Sequence, residues 1–329
     1  MDPPSIIEAG GLTPAQHRVI TDLMARGQAR PRFDPSLADA LRAELEAALA
    51  PLVDPAPGGT NEPTAADAEV LWVNKGALSQ VHACEAHFLV EDAAPFEWNA
   101  RSARGTVAHR ALELSVSTRG QLPPLELVDH ALSSLGADDQ RGTLRSWLAG
   151  ATPLEVADLR SGANDVVAKF GECWPPLKAS WAPRAETAIG ATLRDEQVML
   201  WGKVDLVLGR AQGDEARALV VDLKTGRAYP SHLDDLRFYA LVQTLRIGVP
   251  PFRVASYYLD TATFHYEDVS ADSLAIAVRR TIDGVRKLLE LRAGRAPTIT
   301  AGPACSWCRL ASSCDGARQW RETQDDIGN

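Results

Sequence analysis

No uncharged apolar run in the 329 residues approaches the ~20 needed to span a bilayer, and the opening MDPPSIIEAGG has neither the basic nor the apolar stretch of a signal peptide. The expectation is a soluble, cytoplasmic protein with no membrane partner. A basic surplus is missing too. Lys and Arg number 34 against 43 Asp and Glu, a net charge of −9, which excludes a chain that coats nucleic acid with its whole surface but leaves room for a local basic groove. No G-x4-G-K-[ST] stretch occurs, so the chain carries no ATP-driven motor of its own. Cysteines are few and odd in number, five, which argues against a disulfide framework. There is no internal repeat and no low-complexity tract. What remains is ordinary globular composition, 45% hydrophobic and 23% charged, enough for one large domain or two modest ones.

Helix signals open the chain. Thr13 and Pro14 read as N-cap and first turn of a helix over 13–28, and Asp34 with Pro35 does the same for the next. The stretch 54–69, rich in Pro, Gly and Thr, reads as a linker. It divides a helical accessory region and linker, 1–69, from a larger domain, 70–329. A short strand and a helix follow in VLWVNKGALSQVHACEAHFLVED, then a helix in SARGTVAHRALELSVS, and 125–172 is mostly helical. From about 184 the pattern turns to strands: RAETAIGATL, VMLWGKVDLVLG and RALVVDLKTG. A helix over HLDDLRFYALVQTLRIG, a strand over FRVASYYLD and a long amphipathic helix ending near Gly294 complete the order. This pattern predicts an α/β core with a mixed central sheet flanked by helices, the N-terminal helices forming an accessory layer.

Within the strands lie residues that do not belong in a core. Asp205 sits in VDLV, and Asp222 and Lys224 sit in VVDLKTG, 17 and 19 positions on. Burying a charge costs several kcal/mol unless it is paired or holds a metal. A hairpin through GRAQGDEA would lay the two strands antiparallel and bring both carboxylates to one end. Asp222 and Lys224, one residue apart, point to the same face of a strand. Two carboxylates and a lysine suit phosphodiester hydrolysis: the carboxylates hold Mg²⁺ or Mn²⁺, and the lysine positions or deprotonates water.

The order Gly202, Asp205, Asp222, Lys224, Thr225, Gly226 resembles the PD-(D/E)XK nuclease superfamily, and within it RecB/AddB-type nuclease domains and the CRISPR adaptation exonucleases. GTVAHRALE supplies Gly105, His109 and Glu113 in the family's Gly-x3-His-x3-Glu register. The resemblance implies a restriction-endonuclease-like core and a catalytic set of His109, Asp205, Asp222 and Lys224. Metal would be held by His109, Asp205, Asp222 and the backbone carbonyl of Leu223. The family's Gln-x3-Tyr element is matched by Tyr239, but Asp235 stands where Gln is usual. Glu186 fits an upstream acidic position of the family. Glu113, Glu186, Asp235 and Tyr239 are therefore expected in supporting or DNA-contacting places, with a solvated strand end as the bland alternative for Glu186.

Cys305, Cys308 and Cys314 form C-x2-C-x5-C, a spacing of metal or cluster ligands. By the same resemblance Cys84 is the fourth ligand of a [4Fe–4S] cluster that staples the C-terminal segment to the core; zinc accepts four thiolates equally well. Cys173 reads as a small core residue. The function expected is a Mg²⁺- or Mn²⁺-dependent deoxyribonuclease, an exonuclease acting on single-stranded DNA or free ends in repair, recombination or defence, with a helicase or other such protein as partner. The rival is an inactive DNA-binding or scaffold protein on the same fold, its cluster structural or redox-active.

Overall fold

The computed structural model describes residues 11–53, 70–118, 122–138 and 143–327. The expected linker, 54–69, lies outside them. The first helix signal is obeyed: Thr13 caps α1 (Pro14–Arg18) in a reciprocal box with Gln16, and the helix continues as one π-helical turn, Val19–Leu23. Helix α2 (Leu37–Val53) turns Leu41, Leu45 and Leu49 into the main core, so this N-terminal helix is part of a packed layer rather than an outlying one. After β1 (Leu71–Val73), one expected helix is two. α3 (Lys75–Ala83) and α4 (Glu85–Ala93) are broken by Cys84, whose extended backbone (φ −164°, ψ 116°) ends one and starts the other.

Helices α5 (Ala100–Ser117), α6 (Pro124–Gly136), α7 (Leu144–Gly150) and α8 (Pro153–Cys173) follow. The strands β2 (Arg184–Leu193), β3 (Val198–Leu208) and β4 (Leu219–Lys224) are as read from the sequence, and then come α9 (Ser231–Ile247) and β5 (Arg253–Tyr258). A strand the sequence did not announce, β6 (Thr263–Asp268), pairs antiparallel with β5. It is an edge strand whose residues are exposed or half-buried, so it carries no clean alternation of apolar and polar positions. The chain ends through α10 (Ala271–Arg292) and α11 (Asp315–Ile327). Among the described residues no helix is long and apolar enough to cross a membrane.

Strand β3 organises the sheet. Its whole length pairs antiparallel with β2 on one edge. The other edge is shared: β1 runs parallel to its first residues, 198–200, and β4 runs antiparallel to its last, 206–208. β1 and β4 therefore point their C-terminal ends at one another across a gap beside 201–205. The core becomes two-sided there as well. Before it Val198, Leu200 and Val204 feed only the layer under α2, α9 and α10; beyond it Val207 still does, while Leu206 and Leu208 feed the layer under α5, α6 and α8. Asp205 stands at the crossing.

Candidate active site

Three elements converge on that gap. From α5, His109 Nδ1 lies 3.2 Å from Asp205 Oδ1, and the other oxygen of Asp205 accepts a 2.6 Å hydrogen bond from the Leu223 backbone N–H. The ladder between β3 and β4 stops at Leu206 and Val221, so the Asp205 carboxylate takes over a donor that the next rung would have used. Opposite Asp205 on β2, between Ala185 and Thr187, sits Glu186 with φ +47°. A left-handed backbone at a residue that is not glycine costs about 1–3 kcal/mol and clusters at functional sites. The twist brings Glu186 to the other two: one ligand atom each of His109, Glu186 and Asp205 lie within 4.8 Å of one another. Lys203 pairs with Glu186. Burial alone would lower the His109 pKa, but the hydrogen bond and charge of Asp205, then the charge of Glu186, outweigh it and raise it.

Asp222 is placed differently from the sequence expectation. It neighbours Asp205 across the strands, yet it does not join that three-ligand group. Its side chain is 1% exposed and lies between two ammonium groups: Lys75 Nζ donates to Oδ1 at 2.5 Å, and Lys224 Nζ lies 2.6 Å from Oδ2. The Lys224 contact is an ion pair without good hydrogen-bond geometry, which leaves acceptor capacity on Oδ2. Burial would push the Asp222 carboxyl up, and the charges of Lys75 and then Lys224 hold it below the ordinary range instead. Lys224 also lies 3.4 Å from Asp235, whose own pKa burial raises.

Lys75 and Lys203 are functional candidates that sequence reasoning missed. Lys75 occupies the first turn of α3 behind the Asn74 cap, a place where the helix dipole favours acids. A lysine there was the only available signal. The gap explains it: the chain leaves β1 pointing at the end of β4, and the side chain passes 4.7 Å from the Tyr239 ring to reach Asp222.

Tyr239 is buried; its hydroxyl donates to the Lys203 carbonyl at 2.7 Å, and its ring lies against Gly202, where a Cβ would come within 2.7 Å of it. It supports β3 and does not reach solvent to contact DNA. Gly105 lets α5 approach the turn after Lys224, since a Cβ there would meet Thr225 Oγ1 at 3.0 Å. Asp260 locks the same turn, accepting from Gly226 N–H and from Arg104 of α5. Glu113 pairs with Arg110 on the wall of a cleft of about 900 Å³ that also contains Arg101, His109, Glu186, Lys203 and Asp205.

A family model of the PD-(D/E)XK nuclease superfamily matches residues 74–315. The chain belongs to that superfamily. No curated protein matches it. Among solved structures, a protein designated SSO0001 aligns at TM-score 0.33 and 12% identity, over 84% of this chain and 94% of its own. A candidate exonuclease from Eubacterium rectale aligns at TM-score 0.44 and 12% identity, over 81% and 93%. At those values neither informs the chemistry. Superfamily membership gives a nuclease, and the donor set of one imidazole and two carboxylates suits the divalent metals such nucleases use.

Four of the five cysteines gather around Cys84, where α3 ends. Burial raises the Cys308 pKa, and the neighbouring thiols of Cys84, Cys305 and Cys314 add to it. Thr300 N–H donates to Cys84 Sγ at 3.5 Å and Gly302 N–H to Cys305 Sγ at 3.4 Å. Cys173 is half-buried at the end of α8, away from them in the chain.

The segment leading to the three C-terminal cysteines is held to α4 by hydrogen bonds of its own. Glu85, next to Cys84, accepts from both terminal nitrogens of Arg295 at 2.9 Å and from Thr298 N–H at 2.8 Å. These donors, Arg295 first, hold the Glu85 pKa below its ordinary 4.5. A depressed carboxylate stabilises the fold fully above the ordinary value and loses that contribution as pH falls through the folded value. Glu85→Gln is expected to lower Tm by about 2–4 °C near pH 7, the partly exposed Arg295 being screened by water. The difference from wild type should stay level down to about pH 5 and shrink below it. Thermal melts across pH 3–8 check this; a difference that grows on acidification would sink the assignment.

Proposed function

We propose that this chain is a metal-dependent deoxyribonuclease of the RecB/AddB-like kind, an exonuclease acting on single-stranded DNA or free ends in repair, recombination or defence. The observation that carries this reading is the convergence of His109, Glu186 and Asp205 at the floor of a cleft, with Lys224 on the adjoining strand. Leu223 supports it. In an extended strand a residue's N–H and C=O leave by the same edge, and the Leu223 N–H faces Asp205, so its carbonyl faces the same group. Asp222, with spare acceptor capacity on Oδ2, completes the set from β4.

Mg²⁺ or Mn²⁺ on these residues supplies a more acidic water and neutralises charge developing on phosphorus. The chain's own residues do the rest. Lys224, fixed as an ammonium between Asp222 and Asp235, positions the attacking water and offsets charge developing on phosphorus. Asp205 orients His109, and Lys75 keeps Asp222 ionised in a buried place. Lacking a motor motif, the enzyme takes its ends from a helicase or another repair or defence protein.

The same reading assigns Cys84, Cys305, Cys308 and Cys314 to a [4Fe–4S] cluster. Cys308 lies close enough to Cys84, Cys305 and Cys314 for their charges to act on it, which supports these four as one ligand set. Residues 70–329 then form the nuclease domain that the cluster closes, and the helical region within 1–69 lends it α2.

The test is anaerobic purification, then cleavage of end-labelled single- and double-stranded DNA with Mg²⁺, Mn²⁺ or EDTA, beside Lys224→Ala. Metal-dependent cutting lost in Lys224→Ala, by a brown protein whose iron is lost in Cys84→Ser, is the expected result. Binding without cutting in any metal would mark a scaffold, and a colourless zinc protein would remove the cluster.

A further inference from the structure

The first half of β3 buries one face only. Gly202 and Val204 point into the α9 side, so Met199, Trp201, Lys203 and Asp205 share the opposite face at steps of about 6.7 Å. Among the described residues α5 reaches this face only at Asp205, and the rest is open: Trp201 is 41% exposed and the Lys203 side chain 53%. On the neighbouring strand Trp72 pairs with Met199 and is 58% exposed. On the other side the partners of Trp201 and Lys203 are Gly190 and Ala188, too small to cover an indole ring. The result is a shallow floor with two open indoles at one end. Lys203, paired with Glu186, stands in the middle and the His109–Glu186–Asp205 group at the other end, where α5 adds Arg101 and Arg110, the latter paired with Glu113.

We propose that this face is the track along which one unpaired DNA strand enters, with Trp201 and Trp72 stacking on its bases and Lys203, Arg101 and Arg110 facing its phosphates. The inference rests on the nuclease reading above and adds the residues that would hold a single strand and exclude a duplex. Aromatic stacking is tolerant of sequence because every base has a π-face. It is closed to a duplex, whose bases already stack on one another. The open indoles therefore select single strands over double strands, and the alternation of β3 delivers the strand from them to the three-ligand group. Neither indole belongs to a hydrophobic core cluster, so replacing them leaves the core in place.

The experiment measures fluorescence anisotropy of labelled oligo(dT) and of a blunt duplex in Ca²⁺ without Mg²⁺, and cleavage in Mg²⁺. It uses the full chain as wild type, Trp201→Ala, Trp201→Phe and the Trp72→Ala/Trp201→Ala pair. Each lost stack is expected to weaken oligo(dT) binding about tenfold, with Trp201→Phe retaining most of the affinity and duplex binding unchanged. Hydrolysis of thymidine 5′-p-nitrophenyl phosphate, too short to reach the indoles, should match wild type in all variants. A wild type that cuts oligo(dT) while the double variant binds and cuts equally well overturns the track alone. A wild type that neither binds nor cuts DNA brings down the nuclease reading and the track together. A wild-type dimer that the double variant breaks, with oligo(dT) affinity unchanged, gives the face to a second copy and overturns the track.

Discussion

Asp205→Asn is expected to lower DNA cleavage by about 10³-fold or more while moving Tm by no more than a few degrees. Asparagine keeps the shape and an oxygen that can still accept from Leu223 N–H, so the join between β3 and β4 survives. What disappears is the charge at the one point where α5, β2 and β3 meet. Affinity for Mn²⁺, read by titration calorimetry, should fall with cleavage. The variant has a second readout that a merely structural residue would not move. Asp205 is the largest influence raising the His109 pKa, against burial, which lowers it. With the carboxylate gone burial prevails, and the His109 titration followed by NMR should shift to lower pH. An Asp205→Asn enzyme that cuts at wild-type rate, or a His109 titration that does not fall, would sink the assignment of this trio.

Much of the arrangement was legible because it is local. Thr13 and Pro14 announce a cap, and the order beginning at Gly202 announces the motif strand, though not that Gly202 lies against Tyr239. Alternating apolar runs around Asp205 and Asp222 announce strands joined by a hairpin, and the antiparallel register follows. What escaped is long-range or two-sided. Lys75 meets Asp222 across 147 positions, and nothing near either residue names the other. Glu186 is drawn to His109 and Asp205 by a left-handed backbone in a stretch that reads as regular strand. Periodicity gave α2 an apolar stripe but not its destination, which is the main core. β6 packs little and so leaves little pattern. The superfamily resemblance named the residues of the site; the shared edge of β3 explains how they are sorted, one carboxylate toward His109 and the other between lysines.

That sorting makes Asp222 and Lys224 unequal, although the motif presents them as a pair. Asp222→Ala is expected to destabilise the fold by about 3–5 kcal/mol, because it strands the Lys75 ammonium in a place with little water and leaves Lys224 only its 3.4 Å contact with Asp235. Burial would then pull the Lys75 pKa down, since Asp222 is the chief influence holding it up. Lys224→Ala leaves Asp222 its hydrogen bond from Lys75 and should cost about 1 kcal/mol, while cleavage is lost all the same. Urea unfolding of the two variants separates these outcomes. Adding Lys75→Met to Asp222→Ala should recover part of the lost stability, since it removes one stranded charge and keeps an apolar stem against Tyr239. Equal stabilities for Asp222→Ala and Lys224→Ala, or no recovery in the double variant, would mean that water reaches the lysines. In that case the two lysines are screened by solvent and do not set Asp222 apart from Asp205.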